Sequence, residues 1–160
     1  MKNHFITEKF TLVPTSIYKP ELLLELYPVD NNEEIKSIDL AEHNATLVYA
    51  AKNDGDNAGK LPLVHLLIEM LKEIHDHNRI VVNYSSNMKL LHLVAARDEN
   101  LLLANTFRCT HINTLLYFLT LVCQQAMFNP QITAINLVGK LNSEDETLLL
   151  RYFQKIIYVQ

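Results

Sequence analysis

A mixed α/β fold is predicted for this chain by three features. Three strand-like runs separated by SSN and RDEN lie between Arg79 and Cys109; residues 109–139, 31 in all, contain no Asp, Glu, Lys or Arg; and Ser143-Glu-Asp-Glu146 forms a capping box ahead of a helical pattern. The charge-free stretch is long enough for one buried helix followed by one buried strand, and it marks the centre of a core. At 160 residues, with 49% hydrophobic and 20% charged residues, the chain has the size and composition of one globular domain with a real core.

The elements follow in order. Phe10–Pro14, FTLVP, is a short strand, and KPELLLELY offers Pro20 at a first-turn position ahead of a leucine-rich helix. SIDLAEHNATLVYAA gives two strands around EHN, because Ile38 and Leu40, then Leu47 and Tyr49, alternate with polar or small residues. KNDGDNAGK holds two of the three glycines and is the clearest loop. From Leu61, the apolar residues Leu63, Leu66, Leu67, Met70, Leu71 and Ile74 recur at three and four, which predicts a helix to about His77. Beyond HDHN the period becomes two, and RIVVNY, MKLLHLVAA and NLLLANTFRC form an antiparallel meander. A helix runs from about His111 to Met127 with Thr110 as its N-cap, and Asn129-Pro130 closes it. QITAINLV is apolar on both alternations and reads as a central strand. Leu149, Tyr152, Phe153, Ile156 and Ile157 extend the last helix at helical spacing.

Three antiparallel strands, a right-handed crossover to a parallel strand and a second helix give the element order of the ribonuclease-H-like fold and of each half of the actin-like ATPases. Residues 1–60 form an N-terminal strand-helix-hairpin segment, and residues 61–160 the ribonuclease-H-like or actin-like subdomain, joined in one compact unit.

The stretch from about Leu101 to Val159 resembles the closing part of a bacterial family, domain of unknown function 3822. The resemblance rests on the asparagine and phenylalanine of ANTF, Tyr117 and Phe118 on a helix, Gln125 ahead of Pro130, and Gly139 after a strand; FTLVP followed by a helix is similar to that family's middle section. Asn113 and Thr114 stand where an acidic residue is expected near the helix start. The resemblance implies an actin-like fold and transfers no activity. It also implies that the chain is either a short member or a fragment of the actin-like arrangement.

Composition excludes some functions. A formal charge of −4 provides no basic field for nucleic acid. The start MKNHFITEKF lacks an apolar h-region, which argues against a secretory signal. Gln124, Gln125, Asn129 and Pro130 interrupt the charge-free run short of a membrane span. Two cysteines are too few for a disulfide framework, so a reducing cytoplasm is expected.

Candidate chemistry is sparse. A two-metal nuclease needs several converging carboxylates, but the polar residues of the first and fourth meander-fold strands are Asn83 and Asn136, and the helix between carries no acid. Asn83 and Asn136 are expected to face each other as a neutral polar core pair. The turn YSSNMK and the loop GDNAG lack the glycine-aspartate or glycine-lysine pattern of phosphate loops. Cys109, His111 and Cys123 do not converge, because a helix separates the last from the others, and Cys123 reads as a buried apolar residue. His75 and His77 are read as caps of a helix C-terminus rather than as metal ligands. No metal or cofactor is expected. The chain is expected to be a non-catalytic protein acting by contact with another protein, with a homodimer formed through an open sheet edge at IIYVQ; the alternative is a nucleotide-binding relative of the actin-like ATPases whose phosphate loops lie outside this chain.

Overall fold

The computed structural model describes residues 3–85 and 87–159. Ser86 of the YSSNMK turn, Met1 and Lys2 of the N-terminal reading, and Gln160 of the IIYVQ edge reading lie outside the described residues. The chain divides into two units, residues 1–66 and 67–160.

The first unit carries β1 (His4–Phe5), β2 (Phe10–Pro14), α1 (Leu22–Leu26), β3 (Glu33–Leu40), β4 (Ala45–Lys52), β5 (Leu61–Pro62) and the start of α2 (Leu63–Lys72). β2 and β3 flank β4, both antiparallel to it, while β1 pairs with β5 in parallel. Val13, Leu23, Val48 and Ala50 form the buried centre against Tyr18, Tyr27 and Ile35. The turn from β3 to β4 places Asn44 in the left-handed region (φ 51°), a conformation that asparagine tolerates well.

The second unit carries the rest of α2, then β6 (Asn78–Ser85), β7 (Leu90–Arg97), β8 (Asn100–Arg108), α3 (Ile112–Ala126), β9 (Ala134–Val138), α4 (Ser143–Leu150) and β10 (Lys155–Val159). These five strands form one sheet in the order β10-β9-β6-β7-β8. The first three are an antiparallel meander, as the short turns between them require; β9 then pairs with β6 in parallel, and β10 with β9 in parallel. Ile80, Val82, Leu91, Leu93, Ala95, Ile135 and Leu137 pack on one face against Ile112, Leu115, Leu119, Val122 and Cys123 of α3 and Leu149 of α4. Both alternations of β9 are buried, which explains why Asn136 is its one polar residue.

Several boundaries differ from the sequence-based expectation. The last helix ends at Leu150 rather than running on to Ile157, and Lys155–Val159 is a strand. The β-branched and aromatic run Ile156-Ile157-Tyr158 takes its backbone partners from β9, which outweighs a helical spacing that five apolar side chains satisfied only as a pattern. Asn142, not Ser143, caps α4, its Oδ1 accepting the Asp145 N–H at 2.8 Å. His111, not Thr110, caps α3, its Nδ1 accepting the Asn113 N–H at 3.1 Å. The α2 helix stops at Lys72, so His75 and His77 do not cap it; both are exposed, and His77 Nδ1 meets Asp98 Oδ1.

Candidate functional site

Asn83 on β6 and Asn136 on β9 lie on neighbouring strands and on the same sheet face, since Val81 is level with Asn136 and Asn83 with Val138. Both are buried. Their hydrogen bonds run to main chain rather than to each other. Asn136 Nδ2 donates to Ile80 O at 3.0 Å, and Asn83 Nδ2 to Val138 O at 3.5 Å, so each amide ties its own strand to its neighbour. His92 stands directly opposite Asn83 on β7, 1% exposed, with neither ring nitrogen hydrogen-bonded. Burial alone holds its pKa down at about 4. The sequence signal for it was a lone histidine inside the apolar run LLHLVAA, which periodicity assigns to a strand without saying which face is buried.

The cysteine and histidine residues do not form a reactive centre. Cys109 is buried just after β8 and its Sγ lies 3.5 Å from His111 O, while Cys123 is buried farther along α3. Burial pushes both thiols up, Cys123 to about 11, so neither is a ready thiolate. Among the described residues no group of three or more His, Cys, Asp or Glu could hold a metal ion, and no helix is long and apolar enough to cross a membrane.

Concavities occur among the described residues of the second unit. One, of about 380 Å³, is lined by Met70, Glu73, Ile74, Asn136, Ile157 and Val159, with Glu73 as the ionisable side chain among them. Another, of about 310 Å³, lies between the C-terminal half of α3 and β8 and includes Leu102, Leu103, Val122 and Met127. It opens onto an unusual surface. None of the fifteen residues of α3 is Asp, Glu, Lys or Arg, yet the helix presents Tyr117, 60% exposed, followed by exposed Gln124 and Gln125 and, at the C-cap, Met127, 80% exposed. Phe118 stacks on Phe107 of β8 at 4.0 Å between ring centres and meets Tyr117 edge-on at 5.2 Å. Arg97, the cation lining the groove, is already committed: its Nη2 donates to Ala126 O and to Met127 O, Nε to Asn78 Oδ1 at 3.3 Å, and its guanidinium lies 5.1 Å over Phe128. It closes the carbonyl end of α3 and leaves the groove apolar.

β8 is one edge of the sheet, and two local features blunt that edge. The pairing with β7 shifts register between Ala95 and Ala96, which leaves Leu102 without a partner and 43% exposed. Asn105 Oδ1 accepts the Thr106 N–H at 2.9 Å, occupying an amide that an added strand would need. The edge therefore offers side chains more readily than backbone.

These features were not visible as a site in the sequence. Tyr117 and Phe118 carried only a family resemblance, and the charge-free run was read as core; that part of it lies on an exposed helix face depends on where α3 packs.

The fold and the family are established by comparison. A Bacteroides thetaiotaomicron protein of unknown function with an actin-like ATPase fold has a crystal structure that superposes with a TM-score of 0.76 at 16% sequence identity, covering 96% of this chain and 66% of that one. The present chain thus spans just under two thirds of that protein's length. No curated protein matches the chain. The family model for Protein of unknown function (DUF3822) matches residues 4–156, so the chain, with its actin-like fold, belongs to that family.

Proposed function

We propose that this protein acts by contact with another protein, without catalysis of its own, and that the contact face is the outer side of α3 together with the groove beside β8. The observation that supports this is a solvent-facing helix with no charged residue that exposes Tyr117 and Met127. The exposed side of a helix on a monomer is normally charged, whereas loss of charge with enrichment in tyrosine, phenylalanine and methionine is the composition of an interface core. The two buried asparagines add support, because β6 and β9 present amides tied to main chain where two-metal chemistry would need carboxylates. A reducing cytoplasm suits two free, buried thiols.

The test replaces Tyr117 by the photo-crosslinker p-benzoylphenylalanine in cells that express the protein natively. Adducts are expected from position 117 and not from Lys36, an exposed control in the first unit. The same adduct pattern from both positions, or none from 117, would overturn the proposal. The likeness to an actin-like ATPase fold motivates the second reading, nucleotide binding. That reading predicts a rise of several degrees in melting temperature with millimolar Mg-ATP, because a ligand that binds only the folded chain stabilises it. An unchanged melting temperature would remove it.

A further inference from the structure

We propose that the occupant of this face is a second copy of the same chain, with the outer surfaces of two α3 helices packed antiparallel across a two-fold axis. The inference rests on the protein-contact reading above and specifies its partner. Asn113, Tyr117, Thr120, Gln124 and Met127 follow one another at intervals of four and three, so they line one stripe of α3 and its C-cap, and all but the half-buried Thr120 are exposed. Their chemistry is self-complementary. A two-fold axis sets a surface against itself, so any run of lysine or glutamate there would face its own charge. This stripe has none. Each of its polar groups, the Asn113 and Gln124 amides and the Tyr117 and Thr120 hydroxyls, carries both a donor and an acceptor and can therefore bond to an identical surface.

The geometry favours the same arrangement. Thr120 lies at the middle of the stripe and is small enough to let two helix backbones approach. With the axis beside it, Tyr117 of one copy lies against Gln124 of the other, twice over. Strand addition at a sheet edge is the competing mode; at β8 the Asn105 side chain on the Thr106 amide and the Leu102 bulge oppose it, while addition at β10, the edge expected from IIYVQ, would give a dimer indifferent to changes on α3. A fifteen-residue helix is about 22 Å long and about 10 Å wide, so the pair covers less than the roughly 800 Å² per side of a standard complex. Association is therefore expected in the micromolar range rather than the nanomolar range.

The experiment is sedimentation velocity of the full chain from about 5 to about 500 µM. A mass rising toward twice that of the chain is expected. Tyr117→Glu should raise the dissociation constant at least tenfold with an unchanged melting curve, since the side chain is mostly exposed. Adding Gln124→Lys to that variant should restore association and make it salt-sensitive, because each new carboxylate then faces an ammonium on the other copy. A monomeric mass throughout, or a dimer indifferent to Tyr117→Glu, would overturn the proposal. Crosslinking at position 117 separates the two levels of failure. A monomer that crosslinks to a different protein removes the second copy and leaves the contact reading in place; a monomer that crosslinks to nothing removes both.

Discussion

Replacing His92 by leucine should raise stability at neutral pH and remove a defined part of the acid sensitivity. The ring is 1% exposed, neither nitrogen is hydrogen-bonded, and its cross-strand neighbours are Asn83 on β6 and Thr106 on β8, which bring no carboxylate to it. Its pKa falls from the ordinary 6.5 to about 4 through burial. The sign follows directly: the unfolded chain takes up a proton as the pH drops through 6.5, while the folded chain resists until about 4, so stability present above 6.5 is lost as the pH falls across that window. The loss is about 2 kcal/mol at pH 5 and about 3 kcal/mol at pH 4. Urea denaturation of the native protein and of His92→Leu at pH 7, 5 and 4 measures it. Leucine should be more stable by about 1 kcal/mol at pH 7, since an unpartnered polar group leaves the interior, and the difference should widen by about 3 kcal/mol at pH 4. Parallel pH profiles for the two proteins would refute the argument, because they would mean that the folded chain protonates His92 at no extra cost.

Other predictions concern local structure. Asn136→Ala should cost about 1–3 kcal/mol and Asn83→Ala less, because the 3.0 Å bond to Ile80 is shorter than the 3.5 Å bond to Val138; denaturation midpoints in the reverse order would contradict the assignment. Met127 holds a left-handed φ of 57° with its side chain 80% exposed, so Met127→Gly should stabilise the chain by about 1 kcal/mol, read as a higher melting temperature. Cys109 and Cys123 should resist a thiol-specific reagent at pH 8 and react fully in denaturant; stoichiometric labelling of the native protein would show that one of them is accessible.

The parts of the fold that the sequence displayed most clearly were those where one physical requirement dominated. The meander showed because three apolar strand-length runs are separated by the short polar turns SSN and RDEN, and β9 because burial on both faces leaves no room for polar residues other than Asn136. β10 was hidden because Leu149, Tyr152, Phe153, Ile156 and Ile157 satisfy a helical spacing, and pairing with β9, a contact distant in sequence, decides the outcome. The caps of α3 and α4 each moved by one residue, since several neighbouring side chains could accept the same amide and only the backbone angle selects among them. The two asparagines were recognisable as polar residues in a core, whereas their bonding to main chain depends on strand register. The exposed side of α3 was the least legible feature, because a run without charges reads as interior until the packing of the helix shows which side faces outward.

The side chain of Asn105 has a consequence for how the sheet assembles. When the β6–β8 meander forms, it has two free margins, one at β6 and one at β8, and the incoming segment that becomes β9 could join either. Thr106 already has a partner within its own strand, so the β8 margin is the poorer template, whereas β6 accepts a parallel neighbour along Ile80–Asn83. A single hydrogen bond between adjacent residues thus makes β8 the poorer of the two margins for a further strand, in keeping with the observed order.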